Sequence, residues 1–272
     1  MTSQSSVTSK KPNSELSPSE FRQLIRNNEH TGNTSGFCSG YVQTNMVILP
    51  KDWAADFQQF CQQNPKPCPV LGISAPGSWE IPKLAKDLDI RSDLPSYKIF
   101  EEGKVTHEVT NISEYWQDDL VTFMLGCSFS FEEPLIDNGL EVRNVTEQCN
   151  VPMYNTNIAC DPSIKFSGNM VVSMRPFLAT DAIRAIQICT RFPAVHGAPI
   201  HFGDPSLIGI DDINHPDFGD AVTIKENEIP LFWACGVTPQ AALEHAKPPF
   251  CITHSPGCML VTDVKNSSLS IM

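Results

Sequence analysis

The sequence predicts an α/β fold, with a three-layer α/β main domain and a smaller α+β domain inserted into it. Two observations lead to this prediction. The segments LVTFMLGCSFSFEEPLIDNG (120–139) and IPLFWACGVTPQAALEHA (229–246) both run from an apolar strand through a Cys/Gly junction into a helix. Such units build a sheet with helices on its faces. Between them, the pattern changes near residue 140 to a separate strand–helix–strand unit.

These observations set the predicted domain boundaries. We assign residues 20–138 and 225–272 to the α/β main domain and residues 139–224 to the inserted α+β domain. Residues 1–19 are polar, with no apolar core, and we interpret them as a flexible leader before the first helix.

The elements follow from apolar spacing and from capping residues. Phe21, Leu24 and Ile25 recur at helical spacing behind a capping serine, Ser17 or Ser19, and Pro50 closes an apolar strand. In chain order, we predict a helix at 17–30, a strand at 41–50, a helix at 51–65, a strand at 68–73, a hairpin at 97–109, a helix at 113–120, a strand at 120–126, a helix at 130–138, an extended segment at 151–160, a strand at 168–176, a helix at 179–193, an extended segment at 198–210, a strand at 229–236, a helix at 239–246 and a strand at 258–264.

Composition excludes several classes of function. The 272 residues carry 19 basic and 31 acidic side chains, a net charge of −12, which argues against nucleic acid as a partner. No apolar run is long enough to cross a bilayer, and no signal peptide is present, so we expect a cytoplasmic protein without membrane partners. An anionic substrate would need a local cationic pocket. The sequence leaves a homo-oligomer open.

The ten cysteines do not form a recognised framework. No Cys-x-x-Cys occurs, which argues against zinc-ribbon and thioredoxin sites, and a reducing cytosol disfavours disulfides. Most are expected to be small buried apolar residues.

The first candidate site is the junction at residues 126–133. A helix beginning after Gly126 would lower the pKa of a thiol and bind a carboxylate, so Cys127 is a candidate nucleophile and Ser128 or Ser130 a candidate substrate ligand. Ser130 and Glu133 fit a capping box. A capped helix with a buried structural cysteine remains the alternative.

The second candidate site is HGAPIHFGDP (196–205). His201 with Asp204 could form a general base and its orienting carboxylate. Together with His196 and His215, these residues make a metal site conceivable, but no recognised ligand spacing is present and we predict none. A structural histidine and a turn-stabilising aspartate are the alternative.

Arginines are candidates for binding an anionic substrate. Arg175 ends a predicted strand, Arg143 follows the helix at 130–138, and Arg91 lies in a loop; a guanidinium group matches a carboxylate in geometry. Each could equally form a surface ion pair. No P-loop, dinucleotide-binding glycine pattern or Gly-x-Ser-x-Gly elbow is present, so no cofactor is predicted.

Taken together, the motifs resemble a bacterial family of hydro-lyases that is similar to the D-glutamate cyclase domain. The resemblance covers about residues 20–265 and rests on GYVQTNMVILP, DFQQFCQQNPKPCP, DIRSDLP, FMLGCSFSFEE, VPMYNTNIAC, VVSMRP, HGAPIHFGDP, FWACGVTPQ and ITHSPGCMLVTD. It implies an α/β main domain with a smaller α+β domain, and the closure of D-glutamate to 5-oxo-D-proline with loss of water, without a cofactor.

Local chemistry suggests a role for each candidate in that reaction. His201, oriented by Asp204, would deprotonate the amine, and Glu132 or Cys127 would protonate the departing hydroxide. The turn at 127–130 would stabilise the tetrahedral intermediate. Arg175, or else Arg143, would hold the α-carboxylate.

Two other functions remain open. One is a dehydratase that acts on a different small hydroxy acid and often uses a metal ion. The other is a non-catalytic subunit that binds 5-oxoproline or a related acid and presents it to a partner enzyme.

Overall fold

The computed structural model describes residues 15–271. Its helices and strands, in chain order, are α1 (Pro18–Arg26), β1 (Tyr41–Pro50), α2 (Lys51–Gln63), β2 (Val70–Ile73), β3 (Tyr97–Glu101), β4 (Lys104–Val109), β5 (Leu120–Gly126), α3 (Phe129–Asp137), α4 (Arg143–Thr146), β6 (Met153–Ala159), β7 (Asn169–Leu178), α5 (Ala179–Thr190), β8 (His201–Phe202), β9 (Glu228–Ala234), α6 (Val237–Ala246), β10 (Phe250–His254) and β11 (Leu260–Lys265). The predicted α/β class is confirmed.

The strands form two antiparallel sheets. The first sheet has the order β2-β5-β1-β10-β3-β4, with β11 also pairing with β1, and the second has the order β6-β7-β9-β8. The strand at 229–236, which the sequence analysis placed in the main domain, therefore belongs to the second sheet as β9. The domain boundaries drawn from sequence stay a prediction.

Helices α3 and α6 each follow a strand of one sheet and pack partly against the other sheet. α3 follows β5 of the first sheet, yet its Phe131 and Leu135 pack with α5 against Phe177 and Trp233 of the second sheet. α6 follows β9 of the second sheet, yet its Leu243 joins α2 in the core of the first sheet. The sheets are held together because each one is covered partly by a helix that the other supplies.

The two central strand pairs repeat the same register. In each pair a long strand leads directly into a helix, α2 after β1 and α5 after β7. Its antiparallel partner leads through a cysteine into a helix that packs partly against the other sheet, α3 after β5 and α6 after β9. Both pairs run over seven positions without a register shift, so the β1/β5 and β7/β9 units share the same topology. The matched pairs are Thr44↔Gly126 with Val172↔Ala234, and Pro50↔Leu120 with Leu178↔Glu228.

Several local predictions are confirmed. Ser17 caps α1 in a capping box with Glu20, and Pro18 occupies its first turn. Residues 1–14 of the predicted leader lie outside the described residues. Residues 18 and 19, which were also assigned to the leader, are the first two residues of α1. The hairpin is present as β3 and β4.

Other local predictions are wrong. The segment 113–120 forms only a 3-10 turn, Ser113–Tyr115. The capping box of Ser130 and Glu133 is not formed, because α3 starts earlier, at Phe129, and Glu133 instead accepts a hydrogen bond from Asn266. The sequence analysis did not predict strand β10.

Candidate active site

Cysteines occupy the two pseudo-equivalent strand-to-helix junctions. Cys127 follows β5 and precedes α3, and Cys235 follows β9 and precedes α6. Close packing dictates a glycine before the first cysteine: a Cβ atom on Gly126 would lie 2.4 Å from the carbonyl oxygen of Ala194. Each thiol lies just before the N-terminal end of a helix, where backbone N–H groups are free.

The side chain of Asn45 connects the two junctions. It extends from β1 and donates a hydrogen bond from Nδ2 to the carbonyl oxygen of Gly126 at 3.0 Å. The same Nδ2 would lie 2.3 Å from a Cβ atom on Gly236, the residue after Cys235. The absence of a side chain on Gly236 is what allows the amide to sit between the junctions.

Both thiols line one cavity of about 60 Å³. Among residues 15–271, its walls contain polar and apolar side chains but no Asp, Glu, Lys or Arg. The polar lining side chains are Asn45, Ser128, Asn150, Gln240 and His254, besides the two cysteines. Clefts of about 480 Å³ and about 290 Å³ adjoin it and share Asn150 with it. A small organic acid would therefore occupy the cavity together with part of one cleft.

The charge on the cavity comes from the helix ends. α3 and α6 both direct the positive ends of their dipoles toward it, and no carboxylate of the described part of the chain lines the cavity. A separate cleft of about 260 Å³ on the other side of α3 is lined by Glu132, Glu133 and Asp137. That cleft would repel an anion, whereas the cysteine-lined cavity would attract one.

His254, at the end of β10, is a neutral hydrogen-bond donor. Its Nδ1 lies 3.1 Å from the backbone nitrogen of Met46 and 3.4 Å from the carbonyl oxygen of the same residue. Accepting the N–H at the shorter distance leaves the hydrogen of the neutral ring on Nε2. Burial lowers the pKa of His254 to about 4. Among residues 15–271, Nε2 has no hydrogen-bond partner, and the ring lines the cavity. It can donate to a substrate oxygen without carrying charge.

Both thiols are protonated at neutral pH. Burial raises the pKa of Cys127 to about 12, and the backbone amide of Phe129 opposes the rise. Burial also raises the pKa of Cys235, against the backbone amide of Val237. Each thiol also lies close enough to Arg175 for the guanidinium charge to act on its pKa. The thiols are thus placed to give protons to a developing negative charge.

Arg175 lies beneath the first junction. The guanidinium group is buried and forms an ion pair with Glu132, and it donates to Ser173 at 3.0 Å and to Ser128 at 3.2 Å. It also lies over the ring of Phe131. Arg175 and Glu132 do not line the cavity, so this pair holds the start of α3 in place.

The structure brings only part of the sequence-predicted site together. Cys127 and Ser128 line the cavity, and the buried hydroxyl of Ser130 makes no hydrogen bond within the described part of the chain. Arg143 lies elsewhere, bound to Glu141 and Glu228.

The predicted pair of His201 and Asp204 is not formed as expected. Nε2 of His201 contacts the backbone carbonyl oxygen of Asp204 at 2.8 Å, while the Asp204 carboxylate accepts the N–H of Ser206. His201 lies on β8 and does not line the cavity. The Asp204 carboxylate therefore does not orient His201 as a base.

The histidines considered for a metal site have separate partners. His196 is buried against the backbone carbonyl oxygen of Lys66, and His215 pairs with Asp212 on the surface. Across residues 15–271, no group of three or more His, Cys, Asp and Glu side chains is arranged to hold a metal ion.

Sequence reasoning missed Cys235, His254 and Asn45. The repeated strand–Cys–helix pattern was a signal for Cys235, because the same pattern had singled out Cys127. His254 and Asn45 carry no local signal. They reach the cavity only through the pairing of β1 with β5 and β10.

A buried cavity lined by acid–base side chains and helix N-termini is the arrangement of an enzyme that acts on a small molecule. The particular family is given by sequence comparison. The D-glutamate cyclase family profile matches residues 121–263, and the chain belongs to this family, as the motifs predicted.

The curated relatives extend the match to almost the whole chain. A protein of Aliivibrio fischeri described as "Putative hydro-lyase" is 56% identical over 93% of this chain and 95% of its own. A relative in Paraburkholderia phytofirmans with the same description is 56% identical, covering 94% and 98%. One in Geobacillus kaustophilus is 54% identical, again covering 94% and 98%.

No helix within residues 15–271 combines the length and apolar character needed to cross a membrane.

Proposed function

We propose that this protein is a lyase that closes D-glutamate to 5-oxo-D-proline and releases water. The observation that carries the proposal is that the N-termini of α3 and α6, each with a cysteine just before it, meet at one cavity that no carboxylate of residues 15–271 lines, in a chain of the D-glutamate cyclase family. The curated relatives described as hydro-lyases support the loss of water as the type of reaction.

The helix ends and one lysine would bind the substrate carboxylates. The free N–H groups at the starts of α3 and α6 suit one carboxylate. The adjoining cleft of about 290 Å³ is lined by Lys98 together with Gln240 and His254. The ammonium group of Lys98 makes no ion pair within 4 Å among the described residues, although Glu108 lies opposite it on β4 and Glu244 lines the same cleft; we assign it to the other carboxylate. Arg175, which the sequence favoured for this role, is already paired with Glu132.

The reaction needs a folded-back substrate and two proton transfers. The substrate reacts with a neutral amine and a protonated γ-carboxyl group, after its ammonium group has passed one proton to the γ-carboxylate. The amine attacks the γ-carboxyl carbon, the C–N bond forms, and the oxyanion accepts hydrogen bonds from His254 Nε2 and the helix N–H groups. Cys127 then gives its proton to the hydroxyl oxygen of the tetrahedral intermediate, the C–O bond breaks and water leaves, and the resulting thiolate takes the proton from the new amide nitrogen. Because the reaction is intramolecular, holding the reactive conformer supplies much of the acceleration.

The first test is turnover with each enantiomer. Purified protein is incubated with D-glutamate and with L-glutamate, and 5-oxoproline is followed by chiral chromatography. We expect turnover of the D-form. Cys127→Ala should lower kcat by about 10²–10⁴-fold, the usual contribution of a positioned acid–base group.

A matched control uses another buried cysteine. Cys251 lies in the core of the first sheet, away from the cavity, and burial raises the pKa of its thiol to about 12 as well. Cys251→Ala should leave kcat nearly unchanged. Absence of turnover with either enantiomer would refute the proposal, and tight binding of 5-oxoproline without turnover would point to a binding subunit instead.

A further inference from the structure

The two cysteine thiols reach the same cavity from different sheets. Cys127 comes from the end of β5 in the first sheet and Cys235 from the end of β9 in the second, at the same position of the topology that the two units share. Both line the cavity of about 60 Å³, and they are close enough to influence each other electrostatically. Cyclisation as described above uses one of these thiols and leaves Cys235 without a chemical role.

The surroundings of the thiols suit an anionic intermediate. The buried His254 has an unpartnered Nε2 that lines the cavity, and the N–H groups at the starts of α3 and α6 are directed toward it. The side chain of Asn45 sits between the two junctions and fixes their separation. These are hydrogen-bond donors for the carboxylate of a substrate whose α-carbon has lost a proton.

We propose that Cys127 and Cys235 form a two-sided acid–base pair that exchanges and inverts the α-hydrogen of a bound α-amino acid or its cyclic amide. The protein would then have a racemase activity toward glutamate or 5-oxoproline, in addition to cyclisation. This inference concerns the same cavity as the proposed cyclisation but a different bond.

The proton balance closes without a co-reactant. One cysteine, as thiolate, takes the α-hydrogen, and the electron pair of the C–H bond passes into the carboxylate, which the His254 and backbone N–H groups stabilise. The other cysteine, as thiol, delivers its proton to the opposite face of the carbon and becomes the thiolate. Inversion therefore needs both sulfur atoms, and no oxidant or reductant takes part.

The test is α-deuterium incorporation in D₂O. D-glutamate and 5-oxo-D-proline are incubated separately with the full-length protein. The α-hydrogen is followed by proton NMR, and the enantiomers are separated by chiral chromatography. We expect loss of the α-proton signal together with appearance of the L-enantiomer carrying deuterium. The exchange rate should rise with pH, because one thiol must be ionised.

Single cysteine variants distinguish the acid–base roles of the two thiols from a loss of structure. Cys235→Ala and Cys127→Ala should each reduce the rate of inversion by at least about 10²-fold, as for loss of an acid–base group. Cys251→Ala should not change it. Circular dichroism and thermal unfolding verify that each variant is folded, and Cys235→Ser serves in place of Cys235→Ala if the latter fails to fold.

Two outcomes would overturn the inference. One is cyclisation by the wild-type protein with no α-deuterium in recovered substrate or product, which would leave the cyclase proposal intact. The other is inversion that persists at the wild-type rate in both folded cysteine variants. Inversion without formation of 5-oxoproline would support the inference and refute the cyclase proposal.

Discussion

Replacing Glu132 by glutamine should destabilise the protein strongly. The carboxylate of Glu132 is buried and is the ion-pair partner of the buried Arg175, and the side chains are 6% and 1% exposed. Glu132→Gln keeps the size of the side chain but leaves the guanidinium charge without a counter-charge. Within the described part of the chain, Ser128 and Ser173 would be its remaining polar side-chain partners.

The expected cost follows from this burial. Breaking a buried ion pair by removing one charge costs about 3–5 kcal/mol, because an uncompensated charge remains in the interior. For a chain of this size, that corresponds to a fall in Tm of about 6–20 °C. Removing both charges in Glu132→Gln/Arg175→Met should be less destabilising than the sum of the two single variants, by about 0.5–3 kcal/mol.

Urea unfolding followed by circular dichroism measures these free energies. Asp137→Asn is the matched control, because Asp137 lies on the same helix but is exposed, and its replacement should change stability by less than about 0.5 kcal/mol. A cost below about 1 kcal/mol for Glu132→Gln would refute the reasoning. Arg175 does not line the cavity, so disturbing its ion pair does not remove a contact with the substrate. Any loss of activity in Glu132→Gln should therefore appear as a lower kcat, with KM little changed. A raised KM with unchanged kcat and Tm for Arg175→Lys would restore the sequence-based role of Arg175 in binding the substrate carboxylate.

Three further predictions concern the cavity. Gly236→Ala should cost about 1–3 kcal/mol in thermal unfolding and lower kcat, because the backbone is already helical but the new Cβ atom would lie 2.3 Å from Nδ2 of Asn45. Lys98→Met should raise KM for D-glutamate by about 10–100-fold in steady-state assays, with little change in kcat, because it removes a charge-assisted contact worth about 1.5–3 kcal/mol. Burial lowers the pKa of His196 and of His254 to about 4, so the folded state binds fewer protons than the unfolded state between about pH 4 and 6.5, and urea unfolding should show stability falling as pH falls through that range. Each histidine should contribute about 3 kcal/mol to the change in the free energy of unfolding across this pH range. His254→Gln should remove the contribution of His254 to that pH dependence.

The glycine and lysine predictions each have a matched control. Gly32→Ala adds a methyl group where the nearest heavy atom is 4.0 Å away, and it should leave kcat unchanged. Lys104→Met removes an exposed charge from the neighbouring strand β4, and Lys98→Arg should keep KM near the wild-type value. An equal loss of activity in a variant and its control, or a pH dependence that His254→Gln does not change, would contradict the corresponding argument.

Local sequence determined much of this protein. The capping box at Ser17, the apolar spacing of the helices and the strand–Cys–helix pattern around Cys127 are short-range signals, and the structure contains each of those elements. The long motifs also identified the family. Cys127 and Ser128 are adjacent in that junction, and both line the cavity because the junction geometry is local.

Only the tertiary structure decided which side chains meet. Arg175 and Glu132 lie 43 positions apart in sequence, and their pairing depends on α3 crossing to the second sheet. The crossing of α6 to the first sheet and the pairing of β10 with β1 bring Cys235 and His254 to the cavity with Cys127. Sequence spacing suggested His201 with Asp204, but the carboxylate was already used by the local N–H of Ser206. Strand pairing and helix crossing are set by burial over long sequence separations, so local periodicity specified the elements and their junctions but not the partners they would find.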